Sequence, residues 1–194
     1  GKSKKFIIKK HIENHIENIL AATAIISNFF DLENLSQKLF FNYKLPDGRG
    51  DNNYIKINNK KINFIDESYN SNPLSLKFSL KKFDKVQAGS KKKIILLGNM
   101  LELGKLSKKL HTEAAKIVNN TSINKVYVYG KNIIDTFNKI IPQKKGKILS
   151  SKKDILNFLI NDIKNGEYLM IKGSTSTGLN TIAKKLKLGK LNAI

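Results

Sequence analysis

Short apolar runs and helical patterns alternate regularly along most of the sequence. Runs typical of buried β-strands lie at residues 62–66, 93–98, 125–129, 146–149 and 168–172. Segments whose apolar residues recur at helical spacing follow them, at residues 73–83, 108–118, 132–140, 154–163 and 178–186. Five strand–helix units in succession predict an α/β domain with a mostly parallel sheet and helices on both faces.

The sequence before residue 46 shows another pattern. Residues 6–10 form a short apolar and basic run that is compatible with a strand. Apolar residues at helical spacing then predict a helix over residues 14–30. Asp31 is a suitable N-cap for a second, shorter helix that ends at Phe40. The start of the chain is therefore predicted to be mainly helical.

Turn-forming residues separate these two patterns. The stretch Pro-Asp-Gly-Arg-Gly at residues 46–50 interrupts the apolar periodicity and favours a turn. A chain of 194 residues is long enough for one ordinary domain together with part of another. We therefore place a domain boundary at this turn, which gives the segments 1–45 and 46–194.

Polar and glycine-bearing stretches begin where the predicted strands end. They lie at residues 66–72, 98–100, 130, 150–151 and 172–174. Because ligands of open α/β sheets bind outside the carboxyl ends of the strands, these stretches are expected to share one edge of the sheet. Helix N-termini gather at the same edge and attract anionic groups. The sequence therefore predicts a ligand site there.

The formal net charge of +21 is typical of proteins that bind nucleic acid. Only one of the 36 basic residues is arginine, Arg49, whereas recognition of bases and phosphates relies mainly on arginine. The lysines are spread along the whole chain beside many asparagines and isoleucines. This distribution indicates a solvated lysine-rich surface, and we expect no nucleic-acid partner. The alternative is a basic module that binds RNA weakly, with a steep salt dependence.

The absence of cysteine excludes a disulfide scaffold, a thiolate metal site and a cysteine nucleophile. His11 and His15 do not share metal-ligand spacing with a third ligand, so we predict no metal site in this chain. No apolar run approaches the roughly 20 residues needed to span a bilayer, and no signal peptide opens the chain. We therefore expect a soluble, cytoplasmic protein with no membrane partner.

Two adjacent carboxylates, Asp66 and Glu67, end a predicted strand and lead into a polar turn. Asn72 is a suitable N-cap for the helix that follows, and Pro73 suits its first position. Helix capping accounts for Asn72 and Pro73. It does not account for the carboxylates, whose charge is costly at a strand exit unless it is solvated or bound. The two acidic residues are therefore candidates for a binding site.

Three stretches in this order resemble signatures of the Mur ligase family. They are Asp-Glu-Ser-Tyr-Asn-Ser-Asn-Pro at 66–73, Leu-Gly-Asn-Met-Leu-Glu-Leu-Gly at 97–104 and Ile-Lys-Gly-Ser at 171–174. His111 follows the second stretch at the family's spacing. Two positions depart from the pattern: the family usually has aspartate in place of Asn99, and often a larger polar or basic residue in place of Thr175.

The resemblance extends upstream of the turn. Asn-Ile-Leu-Ala-Ala at residues 18–22 is similar to a helix near the end of the family's central ATP-binding domain. Asp-Gly-Arg-Gly at 47–50 resembles the Gly-Arg hinge that precedes the C-terminal domain, whereas residues 12–15 depart from the usual Gly-x-His-Asn. The resemblance implies a Rossmann-like C-terminal Mur ligase domain over 46–194, preceded by the helical C-terminal end of the central ATP-binding domain over 1–45.

The matching stretches imply an ATP-dependent ligase that adds D-alanyl-D-alanine to UDP-N-acetylmuramoyl-tripeptide in peptidoglycan synthesis, with ATP and Mg²⁺ as cofactors. No G-x-x-x-x-G-K-[ST] phosphate loop is present in the sequence. The resemblance therefore implies a fragment that is inactive alone, with the phosphate loop and the main metal ligands in a missing upstream part. We expect a monomer. A family member that adds another amino acid or polyglutamate is the alternative.

The resemblance implies two groups of binding residues, and we assign no catalytic residue to this chain. The residues implied to bind ATP are Asn18, Arg49, Asp66 and Glu67. The residues implied to bind substrate are Ser68, Asn70, Lys172, Gly173 and Ser174. Structural alternatives remain open for three positions. They are a hinge salt bridge for Arg49, a buried lysine bonded to backbone oxygens for Lys172, and a surface or capping role for His111, which could otherwise contact substrate.

Overall fold

Residues 3–9, 15–43 and 46–191 are described by a computed structural model of the chain. Their contacts divide the chain into two units, Gly1–Pro46 and Asp47–Ile194. In the first unit, helix α1 spans Ile16–Ile26. It ends before residue 30 because the side chains of Ser27 and Asn28 bond to the carbonyl of Ala24, at 2.7 and 2.9 Å, and so compete with the helical ladder.

Two further predictions for the first unit are wrong. Asp31 accepts a hydrogen bond from the amide of Glu33, but it caps only a single 3₁₀ turn, Leu32–Asn34. Leu35 has an extended backbone, and this conformation stops the predicted helix well before Phe40. Residues 3–9 contain no strand, so the predicted strand over 6–10 is absent over its described part. Lys10 and Asn14, which bound two of the predicted elements, lie outside the described residues.

The second unit contains a six-stranded sheet in the order β1-β2-β6-β3-β4-β5. The strands are β1 Asp51–Ile57, β2 Lys60–Glu67, β3 Lys93–Gly98, β4 Lys125–Tyr129, β5 Lys145–Leu149 and β6 Tyr168–Lys172. β1 pairs antiparallel to β2, and all other neighbours are parallel. The predicted fold class, an α/β domain with a mostly parallel sheet, is confirmed.

Five helices cover the sheet. They are α2 Pro73–Asp84, α3 Ser107–Asn119, α4 Ile134–Lys139, α5 Lys152–Asn157 and α6 Leu179–Lys187. The start of α2 follows the predicted capping: Asn72 accepts from the amide of Ser75 at 2.8 Å, and Pro73 occupies the first turn. α5 is shorter than the sequence predicts because its last part, Phe158–Asp162, widens into a π-helical turn.

The hydrophobic core lies on both faces of the sheet because successive side chains of a strand point in opposite directions. Ile94 and Leu96 join one cluster with residues of α5 and α6, and Ile95 and Leu97 join another with residues of α2 and α3. Every residue of β3 is buried, as expected for a central parallel strand covered on both sides. This packing fixes the strand ends from which the polar loops emerge.

Candidate functional site

The exits of β2, β6 and β3 lie side by side because the strand order places β6 between the other two. Glu67 pairs in register with Lys172, and Lys172 pairs with Leu97. The polar stretches after these strands therefore share one edge, as predicted. We call residues 66–72, 98–101 and 172–175 the polar edge.

Glu67 and Lys172 form the charged centre of the polar edge. Lys172 is only 1% exposed, and its Nζ lies 4.0 Å from Oε2 of Glu67. The same Nζ donates to the carbonyl of Asn70 at 2.9 Å. This geometry matches the alternative interpretation of Lys172 as a buried lysine bonded to a backbone oxygen. Its predicted contact with a substrate stays a prediction.

Burial shifts the pKa of both charged groups. Desolvation raises the pKa of Glu67 above its ordinary value of 4.5, although the charge of Lys172 and a hydrogen bond from Ser79 act in the other direction. Desolvation lowers the pKa of Lys172, opposed by the charge of Glu67 and assisted by that of Arg49. Each charge is therefore costly to the fold, as is typical of groups kept for binding.

Residues 47–50, here called the entry turn, are bonded to the loop that follows β2. The amide of Gly50 donates to the carbonyl of Asp66 at 2.8 Å, and the amide of Tyr69 donates to the carbonyl of Gly48 at 3.1 Å. The guanidinium of Arg49 stacks on the ring of Tyr69 at 4.3 Å. The turn thus places exposed Arg49 beside the predicted binding residues.

Glu67 is partly accessible beside Gly50, with 16% of its side chain exposed. The φ of +89° at Gly50 favours glycine, and a Cβ at this position would lie 3.1 Å from Oε1 of Glu67 and 3.2 Å from Nζ of Lys82. A side chain here would therefore cover the carboxylate. Lys82, on α2, is a cation of this region that the sequence patterns did not indicate.

Asp66 and Ser68 are turned into the protein. Asp66 is 2% exposed, and its Oδ1 accepts from the hydroxyl of Ser68 at 2.5 Å and from the amide of Ser68 at 3.1 Å. The other oxygen of Asp66 lies 2.8 Å from Nζ of Lys187. These contacts give both residues a structural role in shaping the loop, and their ligand contacts stay predictions.

Ser174 joins the loops of β2, β3 and β6. Its hydroxyl donates to the carbonyl of Ser71 at 3.2 Å and accepts from the amide of Leu101 at 3.1 Å. Its amide donates to the carbonyl of Asn99 at 3.1 Å. The hydroxyl of Thr175 donates to the carbonyl of Tyr69. Among the predicted substrate-binding residues, Asn70 is the one whose side chain is exposed.

Gly98 and Gly173 face each other where β3 and β6 end. A Cβ on Gly173 would lie 3.1 Å from the Cα of Gly98 and 2.9 Å from Cδ1 of Leu179. A Cβ on Gly98 would lie 2.7 Å from the same Cδ1. Side chains would therefore push the two strand ends apart and displace Leu179, the first residue of α6. Gly173 serves this close packing, whatever further role it has in binding.

A cleft of about 370 Å³ lies next to the polar edge, where β4 and β5 end. Its walls include Asn99, Lys131, Ser150 and Thr177. Gly130 closes one side, and its φ of +122° and close approach to the amide group of Asn99 leave no space for a Cβ. The predicted edge thus continues from the polar edge into a cleft whose walls combine polar and apolar residues with one lysine, Lys131.

His111 lies beneath the polar edge and not at the surface. It is fully buried in α3, and its Nδ1 lies 2.8 Å from the carbonyl of Ser107, so this nitrogen carries the proton. Nε2 therefore accepts the hydrogen bond from the amide of Met100, at 3.1 Å. The predicted surface or capping role of His111 is wrong, because the imidazole instead fixes the loop after β3.

Asn18 belongs to the first unit, where it is an exposed residue of α1. Within residues 3–9, 15–43 and 46–191, no group of three or more His, Asp or Glu side chains is arranged to hold a metal ion. None of the helices in these ranges is long and apolar enough to cross a membrane.

The raised pKa of Glu67 predicts a pH-dependent stability. Because the fold binds the Glu67 proton more tightly than the unfolded chain does, this contribution is present below pH 4.5 and is lost as pH rises through the raised pKa. In Glu67→Gln the free energy of unfolding in urea should therefore depend less steeply on pH above pH 4.5 than in the original chain. A slope unchanged by the substitution contradicts the prediction.

Asp84 provides a control of opposite sign. Hydrogen bonds from the hydroxyl and amide of Ser122, both 2.6 Å long, lower its pKa below the ordinary 3.8. Its contribution is present above pH 3.8 and is lost as pH falls through the lowered value. Asp84→Asn should therefore lower the free energy of unfolding at neutral pH, and the difference from the original chain should disappear as the pH falls below 3.8.

Comparison with known proteins gives a consistent result. The profile of a family described as "Mur ligase, glutamate ligase domain" matches residues 53–175. The UDP-N-acetylmuramoyl-tripeptide--D-alanyl-D-alanine ligase of Rickettsia prowazekii is 31% identical over 179 residues, which are 90% of this chain and 37% of that protein. The Bacillus subtilis ligase of the same name is 29% identical over 128 residues, 64% of this chain and 28% of that protein.

Solved structures share the fold. A MurF ligase from Thermotoga maritima, in complex with ADP, superposes with a TM-score of 0.61 at 20% identity, covering 90% of this chain and 37% of that one. MurF from Acinetobacter baumannii gives 0.67 at 22% identity, covering 91% and 38%. The chain thus spans well under half the length of the relatives that it resembles.

Proposed function

The chain belongs to the Mur ligase family, and we propose that it forms the C-terminal, nucleotide-closing part of an ATP-dependent ligase. The proposed reaction adds D-alanyl-D-alanine to UDP-N-acetylmuramoyl-tripeptide. The names of the relatives that align with 64% and 90% of the chain support this choice of substrates. We call this chain, joined to the upstream region that the proposal requires, the complete ligase.

The proposed chemistry is amide ligation through an acyl phosphate. ATP transfers its γ-phosphoryl group to the terminal carboxylate of the tripeptide, which releases ADP. The amine of the dipeptide then attacks the acyl carbon, and phosphate leaves from the tetrahedral intermediate. Such a reaction depends mainly on the positioning of three substrates and on the neutralisation of phosphate charge.

The observation that carries the proposal is the grouping of Glu67, Lys172 and Arg49 at one edge of the sheet. The accessible part of Glu67, next to Gly50, lets its carboxylate accept hydrogen bonds from the ribose hydroxyls of ATP. Arg49 is exposed and held by Tyr69, so its guanidinium is available to phosphate or ribose oxygens. The charge of Lys172 partly offsets the desolvation of Glu67, and the buried side chain of Asp66 holds the loop that follows.

We propose that the D-alanyl-D-alanine dipeptide binds along Ser68, Asn70 and residues 172–174. The side chain of Asn70 is exposed, and its own Oδ1 accepts from the amide of Ser71 at 2.7 Å. Ser68, Lys172, Gly173 and Ser174 hold the surrounding loops in place and fix the direction of their backbone groups. In this proposal the dipeptide is recognised mainly by loop backbone together with Asn70.

The remaining components belong to other parts of the complete ligase. Mg²⁺ would neutralise phosphate charge during transfer. The described residues offer no cluster suited to it, so we assign its ligands, with the phosphate loop, to the upstream region. Asn18 on α1 is the proposed contact to the adenine of ATP.

The proposal is tested by assaying the complete ligase with ATP, UDP-N-acetylmuramoyl-tripeptide and D-alanyl-D-alanine. ADP release should require all three substrates, and mass spectrometry should show the tripeptide extended by one dipeptide. The 194-residue chain alone should give no turnover, because it contains no phosphate loop. Ligation by the isolated chain, or extension only with another amino acid or glutamate, would disprove the proposal in this form.

A further inference from the structure

Lys187 makes two ion pairs that the functional motifs do not require. It lies at the C-terminal end of α6, and its Nζ is 2.8 Å from Oδ2 of Asp66 and 3.2 Å from Oδ2 of Asp51. Its side chain is 17% exposed. Burial alone lowers the pKa of Lys187, but the two carboxylates outweigh burial and raise it. The ammonium group therefore stays charged and bonded.

Each aspartate that Lys187 binds also holds backbone of the site. Oδ2 of Asp51 accepts from the amide of Gly48 at 3.1 Å, which fixes the entry turn. Asp66 is followed directly by Glu67, and its carbonyl accepts from the amide of Gly50 at 2.8 Å. Lys187 thus connects the turn that carries Arg49 to the strand end that carries Glu67.

We propose that Lys187 is a positioning residue, which sets the distance between Arg49 and Glu67 without contacting the nucleotide. The expected effect on ATP binding rests on the proposed function, whereas the effect of Lys187 on the entry turn and the end of β2 does not. Asp51 and Asp66 lie opposite each other on β1 and β2, so two carboxylates would repel each other there without a cation. Lys187 supplies that cation from a third element.

The burial of this ion pair distinguishes it from an ordinary surface pair. Lys147 and Asp162 also form an ion pair, at 3.0 Å, but the Lys147 side chain is 66% exposed. Pairs so exposed contribute little to stability. In contrast, removal of one partner of a buried pair leaves an uncompensated charge. Lys147→Met is therefore the matched control for Lys187→Met.

The effect of Lys187 on the entry turn and the end of β2 is tested by NMR-detected hydrogen exchange on the 194-residue chain. Lys187→Met should speed exchange of the amides of Gly48, Gly50 and Tyr69 about tenfold or more, because their acceptors become mobile. Lys187→Arg should restore protection. Lys147→Met should leave the three rates within about twofold of the original chain. In every folded variant the amide of Gly166, which donates to Lys61, serves as the internal reference.

Unchanged exchange of Gly50 and Tyr69 in folded Lys187→Met overturns the inference. Should that variant not fold, Asp51→Asn gives the same test, because it weakens the pair and leaves Lys187 bonded to Asp66. Faster exchange is then expected at Gly50, whose acceptor is the unaltered carbonyl of Asp66, and unchanged exchange there overturns the inference equally.

The effect on ATP binding is measured in the complete ligase. Lys187→Met should raise KM for ATP about tenfold with a smaller change in kcat, and Lys187→Arg should recover it. If Lys187→Met has normal kinetics in an active ligase, the positioning role is refuted and the proposed function is not affected. A complete ligase that is inactive before any substitution would refute the proposed function and leave the exchange result standing.

Discussion

Glu67→Gln is expected to lower kcat/KM for ATP of the complete ligase about 100-fold, the largest functional effect of any substitution at the polar edge. The carboxylate is the acceptor proposed for the ribose hydroxyls, and hydrogen bonds to a charged group are stronger than those to an amide. The loss should appear in ADP release at subsaturating ATP with both other substrates saturating.

Unfolding does not explain such a loss, because the substitution removes a carboxylate whose raised pKa shows that its charge is costly to the fold. The urea midpoint of Glu67→Gln at neutral pH should therefore not fall far below that of the original protein. Glu113→Gln, at an exposed position of α3, is the control and should keep full activity. A Glu67→Gln enzyme within about threefold of the original would remove Glu67 from the nucleotide site.

His111→Ala is expected to lower the free energy of unfolding by about 3 kcal/mol, the largest stability effect that we anticipate near the site. The substitution leaves the amide of Met100 and the carbonyl of Ser107 without their partner and opens a cavity in a fully buried position. Urea unfolding followed by circular dichroism measures the loss.

Thr112→Ala is the neighbouring control for His111→Ala. The hydroxyl of Thr112 bonds to the carbonyl of Lys108 within the same helix, in an exposed position, so its removal should cost less than about 1 kcal/mol. Equal destabilisation by the two substitutions would show that His111 acts only as part of α3. A larger loss for His111→Ala, together with faster amide exchange at Met100, supports its role under the polar edge.

The parallel part of the fold was predictable because burial on both faces leaves a plain signal in the sequence. β3 contains the unbroken apolar run Ile-Ile-Leu-Leu, and its observed bounds, Lys93–Gly98, match the predicted 93–98. The edge strand β1 was not predicted because it contains no continuous apolar run. Its sequence, Asp-Asn-Asn-Tyr-Ile-Lys-Ile, is polar at most positions because β1 has a strand on one side only.

The site was predictable only where its residues follow strands directly. Glu67 and Lys172 each end a strand, so the alternating pattern places both at one edge of the sheet, whereas their adjacency follows from the observed strand order. Lys187 and His111 lie on helices, and each reaches the site through a bond to a distant residue. Nothing in the neighbouring sequence distinguishes Lys187 from the other basic residues, which number 36 in all, or predicts the bond of His111 to a residue outside its helix.

The facing glycines Gly98 and Gly173 restrict how this edge can diverge between relatives. Since neither position has room for a methyl group, new specificities must arise at the exposed side chains of the neighbouring loops, such as Asn70 and Thr175. Evolution can thus exchange the chemical groups presented to an acceptor while the spacing of the strand ends stays constant. Mutational tolerance along the edge should consequently be low at the two glycines and higher at exposed positions such as Asn70.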